Sequence, residues 1–476
     1  MQLVWFRNDL RLVDNPALSA ACAAGEPVKA LVCLTPVQWA EHNESDARIG
    51  YWQARLQWLE KALAEGGIEL IRLPLQRFSD CPEAILDLAR KQGTTALHFN
   101  YEYPLNECNR DRAVCELLEA AGVKARGYHG DLIIPPGQVV TGQGTPFKVF
   151  TPFSKAWMRH LLQIAHEPLP SPLAARAHAG LDEACVESVA CKAASGNASE
   201  ESSIHGRSLP AGDPCHAVDD ENLHAHLQRF IHEQEPDYQR LRDFPSRNAT
   251  SGLSAALTIG ALSARQCLAA LKQAHEDESW QQSTWLNELI WREFYRHLLV
   301  SFPELNRMKP FRPEVEARIT WLDNDQAFEA WKAGETGFPI VDAAMKQLLA
   351  TGWMHNRLRM IVASFLTKLL RVDWRRGEAF FMSQLIDGDF ASNLGGWQWS
   401  ASVGADAAPY FRIFNPQLQS EKFDPNGAFI AEWLPELRHL EPKARHKPGA
   451  GQQYGRPAPI IDYKKARQAA LDDYNG

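Results

Sequence analysis

The sequence predicts two domains of different class, an α/β N-terminal domain and an all-α C-terminal domain, joined by a long linker. Strand and helix patterns alternate over the first 130 residues, whereas the chain beyond residue 220 carries helical patterns. A segment rich in Pro, Ala, Ser and Gly, with little periodicity, lies between them. We therefore expect domains at 1–130 and 221–476, with residues 131–220 as the linker.

Short apolar runs in the first domain are typical of buried parallel strands. They lie at Leu3–Phe6, Lys29–Leu34, Ile68–Leu73 and Ala96–Asn100. Helical patterns separate them, as at Ile49–Glu65 and at Asn109–Ala121, where Gly122 is a stop signal. This alternation predicts a parallel sheet with helices on both faces. Residues 1–130 contain no GxGxxG or phosphate-binding loop, which argues against a dinucleotide-dependent oxidoreductase.

The second domain carries apolar residues at i, i+3 and i+4 spacing, without a strand or hairpin signal. The clearest predicted helices are Gln281–Phe302, Asp325–Ala333, Ile340–Thr351 and Asn356–Leu370. We expect this domain to be all-α. It also holds most of the 15 tryptophans of the chain, more than core packing alone explains.

The net charge of −8 is unevenly distributed. Residues 1–235 carry 21 Lys or Arg and 30 Asp or Glu, and residues 236–476 carry 29 and 28. The acidity therefore lies in the first half, where it disfavours a purely structural DNA-binding protein. A local basic surface for nucleic acid stays open on the second half, because phosphate contacts depend on local charge.

The nine cysteines form no CxxC pair, and the chain has no apolar run long enough to cross a membrane. The N-terminus lacks the basic flank and apolar stretch of a secretory signal. We expect a cytoplasmic protein with reduced thiols, without a metal site or a membrane partner.

Long sequence blocks resemble the photolyase/cryptochrome family. In chain order they are Trp5–Asn15 (WFRNDLRLVDN), Trp285–Tyr295 (WLNELIWREFY), Thr336–Met345 (TGFPIVDAAM), Gly352–Met360 (GWMHNRLRM), Asp387–Asp389 (DGD) and Gly395–Trp399 (GGWQW). The pattern is most similar to bacterial class I photolyases that repair cyclobutane pyrimidine dimers and carry a folate antenna. The resemblance implies a carbon–carbon lyase that splits such dimers in DNA with light and reduced FAD, acting as a monomer without an obligate protein partner.

For FAD, the resemblance implies a phosphate-binding loop and a set of ring contacts. The loop is Thr250, Ser251, Gly252, Leu253 and Ser254, although short hydroxyl side chains before a helix are equally typical of an N-cap. The other implied contacts are Tyr238, Trp285, Arg359, Asp387, Gly388, Asp389 and Asn393. Among them Arg359 and Asp387 correspond to a charge pair beside the ring, and Asn393 to the residue that faces flavin N5.

Three tryptophans correspond to the electron-transfer chain that photoreduces the flavin in this family. They are Trp321, Trp374 and Trp397. A single tryptophan at any of these positions would fit core packing, so the assignment depends on the three matches together. Repair itself need not use this chain.

Five residues correspond to the pocket that holds the flipped dimer, namely Glu288, Trp291, Asn356, Met360 and Trp399. Helical spacing places Glu288 with Trp291, and Asn356 with Met360, on shared faces. The two tryptophans would wedge the dimer by stacking, and Glu288 would hydrogen-bond a pyrimidine edge. The DNA contacts that the resemblance adds are Arg242, Arg292, Tyr295, Arg357 and Gln419.

The same pocket discriminates between photoproducts. Family members that repair the (6-4) photoproduct carry two adjacent histidines where this chain has His355 and Asn356, and a further histidine where it has Met360. That reaction needs a proton donor beside the lesion, and neither Asn356 nor Met360 can serve as one. The resemblance therefore implies cyclobutane-dimer repair, with a cryptochrome-type blue-light receptor as the alternative.

The antenna implied is 5,10-methenyltetrahydrofolate, with Asn106 and Glu107 as its binding pair and His42 as a further candidate. One position departs from the family pattern: Arg307, preceded by Asn306, stands where close relatives have Lys. Arg keeps the charge but not the geometry. A deazaflavin or an empty site therefore stays open.

Overall fold

The computed structural model describes residues 1–173, 216–275 and 277–475. The first domain is built on a parallel sheet with strand order β3-β2-β1-β4-β5. Its strands are β1 Gln2–Phe6, β2 Val28–Leu34, β3 Leu70–Pro74, β4 Ala96–Asn100 and β5 Lys124–Tyr128. The helices between them are α1 Pro16–Ala23, α2 Pro36–Glu41, α3 Asp46–Glu65, α4 Cys81–Gln92 and α5 Leu105–Ala120.

Helices cover both faces of this sheet, which confirms the predicted fold class. Successive side chains of a strand point to opposite faces. Val4 and Phe6 pack in one core cluster with residues of α1 and α3, whereas Leu3 and Trp5 pack in a second cluster with residues of α4 and α5. The first cluster continues into the second domain, so the two domains share one core on that side.

The second domain is helical in its described part. Its helices are α6 Phe150–Leu161, α7 Asp220–Glu233, α8 Glu235–Leu241, α9 Ser254–Thr258, α10 Ala264–Ala274, α11 Thr284–Ser301, α12 Pro313–Glu316, α13 Asp325–Ala333, α14 Pro339–Thr351, α15 Asn356–Ser364, α16 Trp374–Met382, α17 Phe390–Ser400, α18 Pro416–Phe423, α19 Ala428–Trp433, α20 Pro442–Arg445 and α21 Tyr463–Asn475. A π-helical turn, Phe365–Leu369, continues α15.

Part of the predicted linker packs as an integral part of the helical domain. In α6 the Phe153 ring lies 5.0 Å from that of Phe294 on α11, and Trp157 Nε1 donates to Glu293 at 2.6 Å. Glu293 is fully buried and also accepts the backbone N–H groups of Ile133 and Ile134. Residues 174–215 of the predicted linker lie outside the described residues.

An ion-pair network lies at the same junction. The carboxylate of Asp131 pairs with Arg292 and with Arg296, and Arg296 also binds Asp389 at 2.8 Å. Burial alone would raise the pKa of Asp131, but the two guanidinium groups hold it well below its usual range. This network joins the end of the first domain to α11 and to the start of α17.

Candidate functional site

Two helices of the second domain, α11 and α17, approach each other closely because of a glycine. A Cβ at Gly395 would lie 2.2 Å from the Tyr295 ring, so no larger residue fits there. Further along, Leu299 and Ala391 line one small cavity. Residue numbers thus rise on one helix as they fall on the other, and the helices run antiparallel.

The antiparallel arrangement brings the two predicted lesion tryptophans to the same level. Trp291 lies one turn before Tyr295 on α11, and Trp399 lies one turn after Gly395 on α17. Both indole rings are half-buried. The two neighbouring helices therefore carry these tryptophans at one level, an arrangement that a stacking pocket can use.

The predicted pocket residue Glu288 and the predicted DNA contacts Arg242 and Arg357 are engaged in ion pairs. Arg242 binds Glu288, and Arg357 binds Asp243 at 2.7 Å. Burial raises the pKa of Glu288, and the Arg242 guanidinium opposes that shift.

The helix that carries Asn356 and Met360 begins at a buried histidine. His355 accepts the backbone N–H of Arg357 at 3.1 Å as the N-cap of α15. Burial lowers the pKa of His355 to about 4, so the ring is neutral at neutral pH. Asn356 is exposed and Met360 half-buried one turn later, with the Met360 sulfur 3.9 Å from an Arg357 nitrogen.

The other predicted DNA contacts differ in their placement. Arg357 lies 4.4 Å over the ring of Phe423 on α18, the helix on which Gln419 precedes Phe423 by one turn. Arg292 instead points to the domain junction, where Asp131 and the backbone carbonyl of Leu257 accept its N–H groups. The structure therefore places Arg292 at the domain junction, apart from the half-buried Arg357 and Gln419.

The residues predicted to bind FAD supply donors and an aromatic wall suited to that group. Arg359 pairs with Asp387 through contacts of 2.8 and 3.0 Å. Trp285 is buried against Phe230, which in turn contacts Tyr238.

The loop before α9 carries the predicted phosphate donors. Thr250, Ser251 and Ser254 are half-buried, and among the described hydrogen bonds only the Ser251 hydroxyl is engaged, by the N–H of Leu253. Gly252 turns this loop at φ 64°, in the left-handed region that favours glycine. The hydroxyl groups therefore fit a pyrophosphate, and the donor set as a whole fits FAD.

A buried carboxyl group that the sequence did not single out contacts Asn393. The Asn393 amide donates to the Glu378 carboxyl oxygen at 2.9 Å and to its backbone carbonyl at 3.0 Å. Burial raises the pKa of Glu378 to about 7. Asp389 caps α17 through the N–H of Ser392 and is held by Arg296, so its carboxylate is already bound.

The three tryptophans predicted for electron transfer run from the interior to the surface. Trp397 and Trp374 are buried, and Trp321 is half-buried. A Cβ at Gly377, one turn after Trp374 on α16, would lie 2.2 Å from the Trp397 ring. The backbone N–H of Leu322 binds the carbonyl of Arg371, which brings Trp321 towards the start of α16.

A cavity of about 440 Å³ lies between the two domains. The first domain contributes His42, Asn106 and Glu107 to its wall, and the second contributes Glu378 and Asp389. It therefore contains the predicted antenna pair and lies next to the predicted flavin contacts.

Glu107 presents an unsatisfied oxygen at this cavity. Its Oε2 is buried without a hydrogen bond, and its Oε1 lies 3.6 Å from His42 Nδ1. The amide of Asn106 lies 2.9 Å from His42 Nε2 and donates to it if that nitrogen is the acceptor, which leaves the proton on Nδ1. Burial raises the pKa of Glu107 to about 7 and lowers that of His42.

The departure noted at Arg307 has a structural counterpart. Arg307 is 61% exposed and pairs with Glu304, away from the cavity lining. Asn306 lines the cavity instead and accepts the backbone N–H of Leu105 at 2.9 Å, at the start of the helix that carries Asn106 and Glu107.

Comparison with known proteins agrees with this architecture. Residues 2–173 match the family model for DNA photolyase, and residues 285–476 match that for the FAD binding domain of DNA photolyase. The chain is 45% identical over 483 residues to the deoxyribodipyrimidine photo-lyase of Escherichia coli, covering 99% of this chain and 98% of that protein.

Two solved structures extend the comparison. A bacterial class III photolyase from Agrobacterium tumefaciens superposes with a TM-score of 0.82 at 35% identity, covering 100% of this chain and 97% of the other. A Synechocystis cryptochrome superposes with a TM-score of 0.83 at 27% identity, covering 99% and 98%.

These findings define the protein as a two-domain flavoprotein whose helical domain binds FAD. The chain belongs to the DNA photolyase family. Within the described residues no helix is long and apolar enough to cross a membrane, and no group of His, Cys, Asp and Glu side chains is placed to hold a metal ion.

Proposed function

We propose that this protein repairs cyclobutane pyrimidine dimers in DNA by light-driven electron transfer. The observation that carries the proposal is that Trp291 and Trp399 lie at one level on antiparallel helices. Glu288 lies one turn before Trp291, and α15, which carries Asn356 and Met360, packs on α17. Relatives similar over nearly the full length are named deoxyribodipyrimidine photo-lyase. The pocket residues that a receptor would not need are all present, which favours repair over a cryptochrome-type function.

Each pocket residue has a separate role in the proposed reaction. When bound, reduced FAD excited by light would supply one electron to the dimer and take it back once the ring has opened, so that conversion of the dimer to two pyrimidines is redox-neutral overall. Trp291 and Trp399 stack on the flipped lesion, and Glu288 hydrogen-bonds a pyrimidine edge. Because His355 is neutral and caps a helix, this pocket offers no histidine acid at that position, which fits dimer splitting without protonation of the lesion.

The test uses the purified full chain and oligothymidine that contains cyclobutane dimers. Under near-UV or blue light we expect recovery of intact thymines, and no recovery in the dark. A variant with Glu288→Ala and Trp291→Ala should lose this activity while keeping its FAD. Failure of the wild-type chain with reduced FAD to restore thymines would contradict the proposal.

The tryptophan chain gives a separable prediction. Trp321→Phe should slow bleaching of oxidised flavin absorbance under blue light in the presence of an external reductant, because it removes the tryptophan of the three that is most accessible to solvent. Repair by enzyme reduced beforehand with dithionite should stay close to wild type. Trp433→Phe, at another half-buried tryptophan, is the matched control and should affect neither measurement. Equal loss of both activities in Trp321→Phe would argue for a structural role.

We propose that the interdomain cavity holds 5,10-methenyltetrahydrofolate as antenna. The unsatisfied Glu107 oxygen supports this, since a carboxylate can accept hydrogen bonds from the pterin amino group.

Folate affinity should then depend on pH. Burial raises the pKa of Glu107 to about 7, so below that pH binding to the carboxylate must first remove a proton. Affinity should be constant above pH 7 and fall about tenfold per unit below it. Fluorescence titration of the antenna-free full chain checks this.

Two variants serve as controls for the antenna titration. Glu107→Gln should bind weakly and without this pH dependence, whereas Glu116→Gln, on the exposed side of the same helix, should behave as wild type. Tight folate binding by Glu107→Gln would show that Glu107 does not bind the antenna. Preferential binding of a deazaflavin would show that the antenna is a deazaflavin and not a folate.

We also propose that the protein acts on damaged DNA as a cytoplasmic monomer. The helical domain carries the half-buried arginines Arg242 and Arg357, and its charge is nearly balanced, in contrast to the acidic first half. Light scattering of the purified chain with and without dimer-containing DNA tests the oligomeric state.

A further inference from the structure

Residues outside the lesion pocket contact both of its tryptophans and connect them to each other. On one side, the Phe150 ring stacks on Trp291 with 3.8 Å between centroids and 7° between planes. On the other, the backbone N–H of Ala408 donates to the carbonyl of Trp399 at 3.2 Å. Asp406, two residues before Ala408, connects the two sides by accepting the backbone N–H of Phe150 at 3.0 Å.

Phe150 is fixed by this contact at the start of α6. Its predecessor Val149 occupies the N-cap position and supplies no side-chain hydrogen bond, so the Asp406 carboxylate takes over the capping of the helix. Such a cap satisfies an otherwise unpaired N–H and favours negative charge at a helix N-terminus. Because Phe150 is the first residue of α6, the cap sets the ring position directly.

Asp406 itself is held in an unusual backbone conformation. Its φ is +48°, in the left-handed region that Asp and Asn adopt more readily than other non-glycine residues. The loop leading to it is fixed on α17, since the N–H groups of Val403 and Gly404 both bind the carbonyl of Gln398. The Asp406 carboxylate therefore connects the loop after Trp399 to Phe150, the residue that stacks on Trp291.

We propose that Phe150 and Asp406 are positioning residues that fix the orientation of Trp291 and its separation from Trp399. At 3.8 Å the Phe150 ring covers one face of the indole, so the lesion meets only the other face. A half-buried tryptophan without this partner would sample other rotamers and lose part of its stacking energy on binding. The inference rests on the proposed function, because it assigns a role within the same pocket.

The first test compares leucine substitutions at two phenylalanines of one segment. Phe150→Leu keeps an apolar side chain but removes the stacking, whereas Phe147→Leu changes a half-buried ring that contacts Phe153 and not Trp291. In the dark, Phe150→Leu should bind a dimer-containing oligothymidine about tenfold more weakly, the scale of one lost stacking contact. Its affinity for undamaged DNA, its FAD content and its repair rate at saturating substrate should stay at wild-type level. Phe150→Tyr should restore binding, and Phe147→Leu should not alter it.

The second test separates the acceptor from the backbone at Asp406. Asp406→Gly removes the carboxylate without strain at positive φ, and Asp406→Asn keeps an oxygen acceptor in a residue that tolerates this conformation. Asp406→Gly should reproduce the effect of Phe150→Leu, and Asp406→Asn should stay near wild type.

Three results would overturn the inference while leaving repair itself established by the wild-type chain. Wild-type dimer affinity in Phe150→Leu and Asp406→Gly is the first. An equal loss of affinity for damaged and undamaged DNA is the second. Loss of FAD together with dimer binding, which would indicate a general packing role, is the third. Absence of repair in the wild-type chain would instead reject the proposed function.

Discussion

A variant that carries both Trp291→Ala and Trp399→Ala is expected to bind dimer-containing DNA on the order of a hundredfold more weakly than wild type, because stacking a base on an aromatic ring contributes roughly 1–3 kcal/mol. The two half-buried rings lie at one level of antiparallel helices, so each is expected to contact the flipped lesion. Titration of a fluorescent oligothymidine containing one dimer, in the dark, measures the loss.

Two controls, undamaged DNA and a tryptophan variant outside the pocket, show whether the loss of affinity is specific to the lesion pocket. Affinity for the undamaged oligonucleotide should change much less, because it depends on phosphate contacts rather than on stacking in the pocket. Trp58→Ala, in α3 of the other domain, should leave both affinities unchanged. If the double variant kept wild-type affinity for the dimer, the two rings would not form the lesion pocket.

Glu293→Ala is expected to lower the free energy of unfolding by at least about 3 kcal/mol, since leaving a buried donor without its acceptor costs roughly 1–3 kcal/mol for each group. The Glu293 carboxylate is fully buried and accepts three N–H groups, from Ile133, Ile134 and Trp157. Alanine would leave all three donors unpaired where the first domain meets α11. Urea unfolding followed by circular dichroism measures the change.

Two further variants distinguish the hydrogen bonds from charge alone. Glu293→Gln keeps one acceptor oxygen and should lose less stability than alanine, although its NH2 group cannot accept the remaining donors. Glu314→Ala removes an exposed carboxylate and should have little effect. A loss below about 1 kcal/mol in Glu293→Ala would show that water or a backbone shift satisfies the three donors.

Local apolar patterns predicted most of the secondary structure, because they indicate which side chains are buried in the core. Four strands were predicted from apolar runs, but Lys124–Tyr128 was missed, because this edge strand buries little of its surface and has no apolar run. The stretch predicted as one helix over 356–370 is α-helical only to Ser364 and then continues as a π turn. All five residues of the π turn are buried, so no alternation of buried and exposed positions marks where the helix type changes.

The candidate site was likewise predicted in part. The resemblance located residues within continuous motifs, and the structure brings Trp291 and Trp399, and Arg359 and Asp387, into the expected groups. The resemblance could not show that Arg292 forms an ion pair with Asp131, which lies 161 residues earlier in the chain.

Positions whose role depends on distant partners were missed altogether. Glu378 is recognised only by its contact with Asn393, and Phe150 only by its stacking on Trp291. Neither residue lies in a motif that points to chemistry, because the relevant information is in the tertiary fold and not in local spacing.

The packing of residues 131–161 on α11 has a consequence for synthesis on the ribosome. This segment leaves the ribosome with Ile134, Phe153 and Trp157 exposed, because the helix that buries them ends at Ser301. At roughly 5–20 residues per second the wait from residue 161 to residue 301 lasts on the order of ten seconds. During that interval the sheet domain can form, but the segment presents an uncovered apolar surface, the kind that chaperones bind. The emergence of α11 is therefore the event that covers this apolar surface, while the rest of the helical domain, as far as α21, is still to be synthesised.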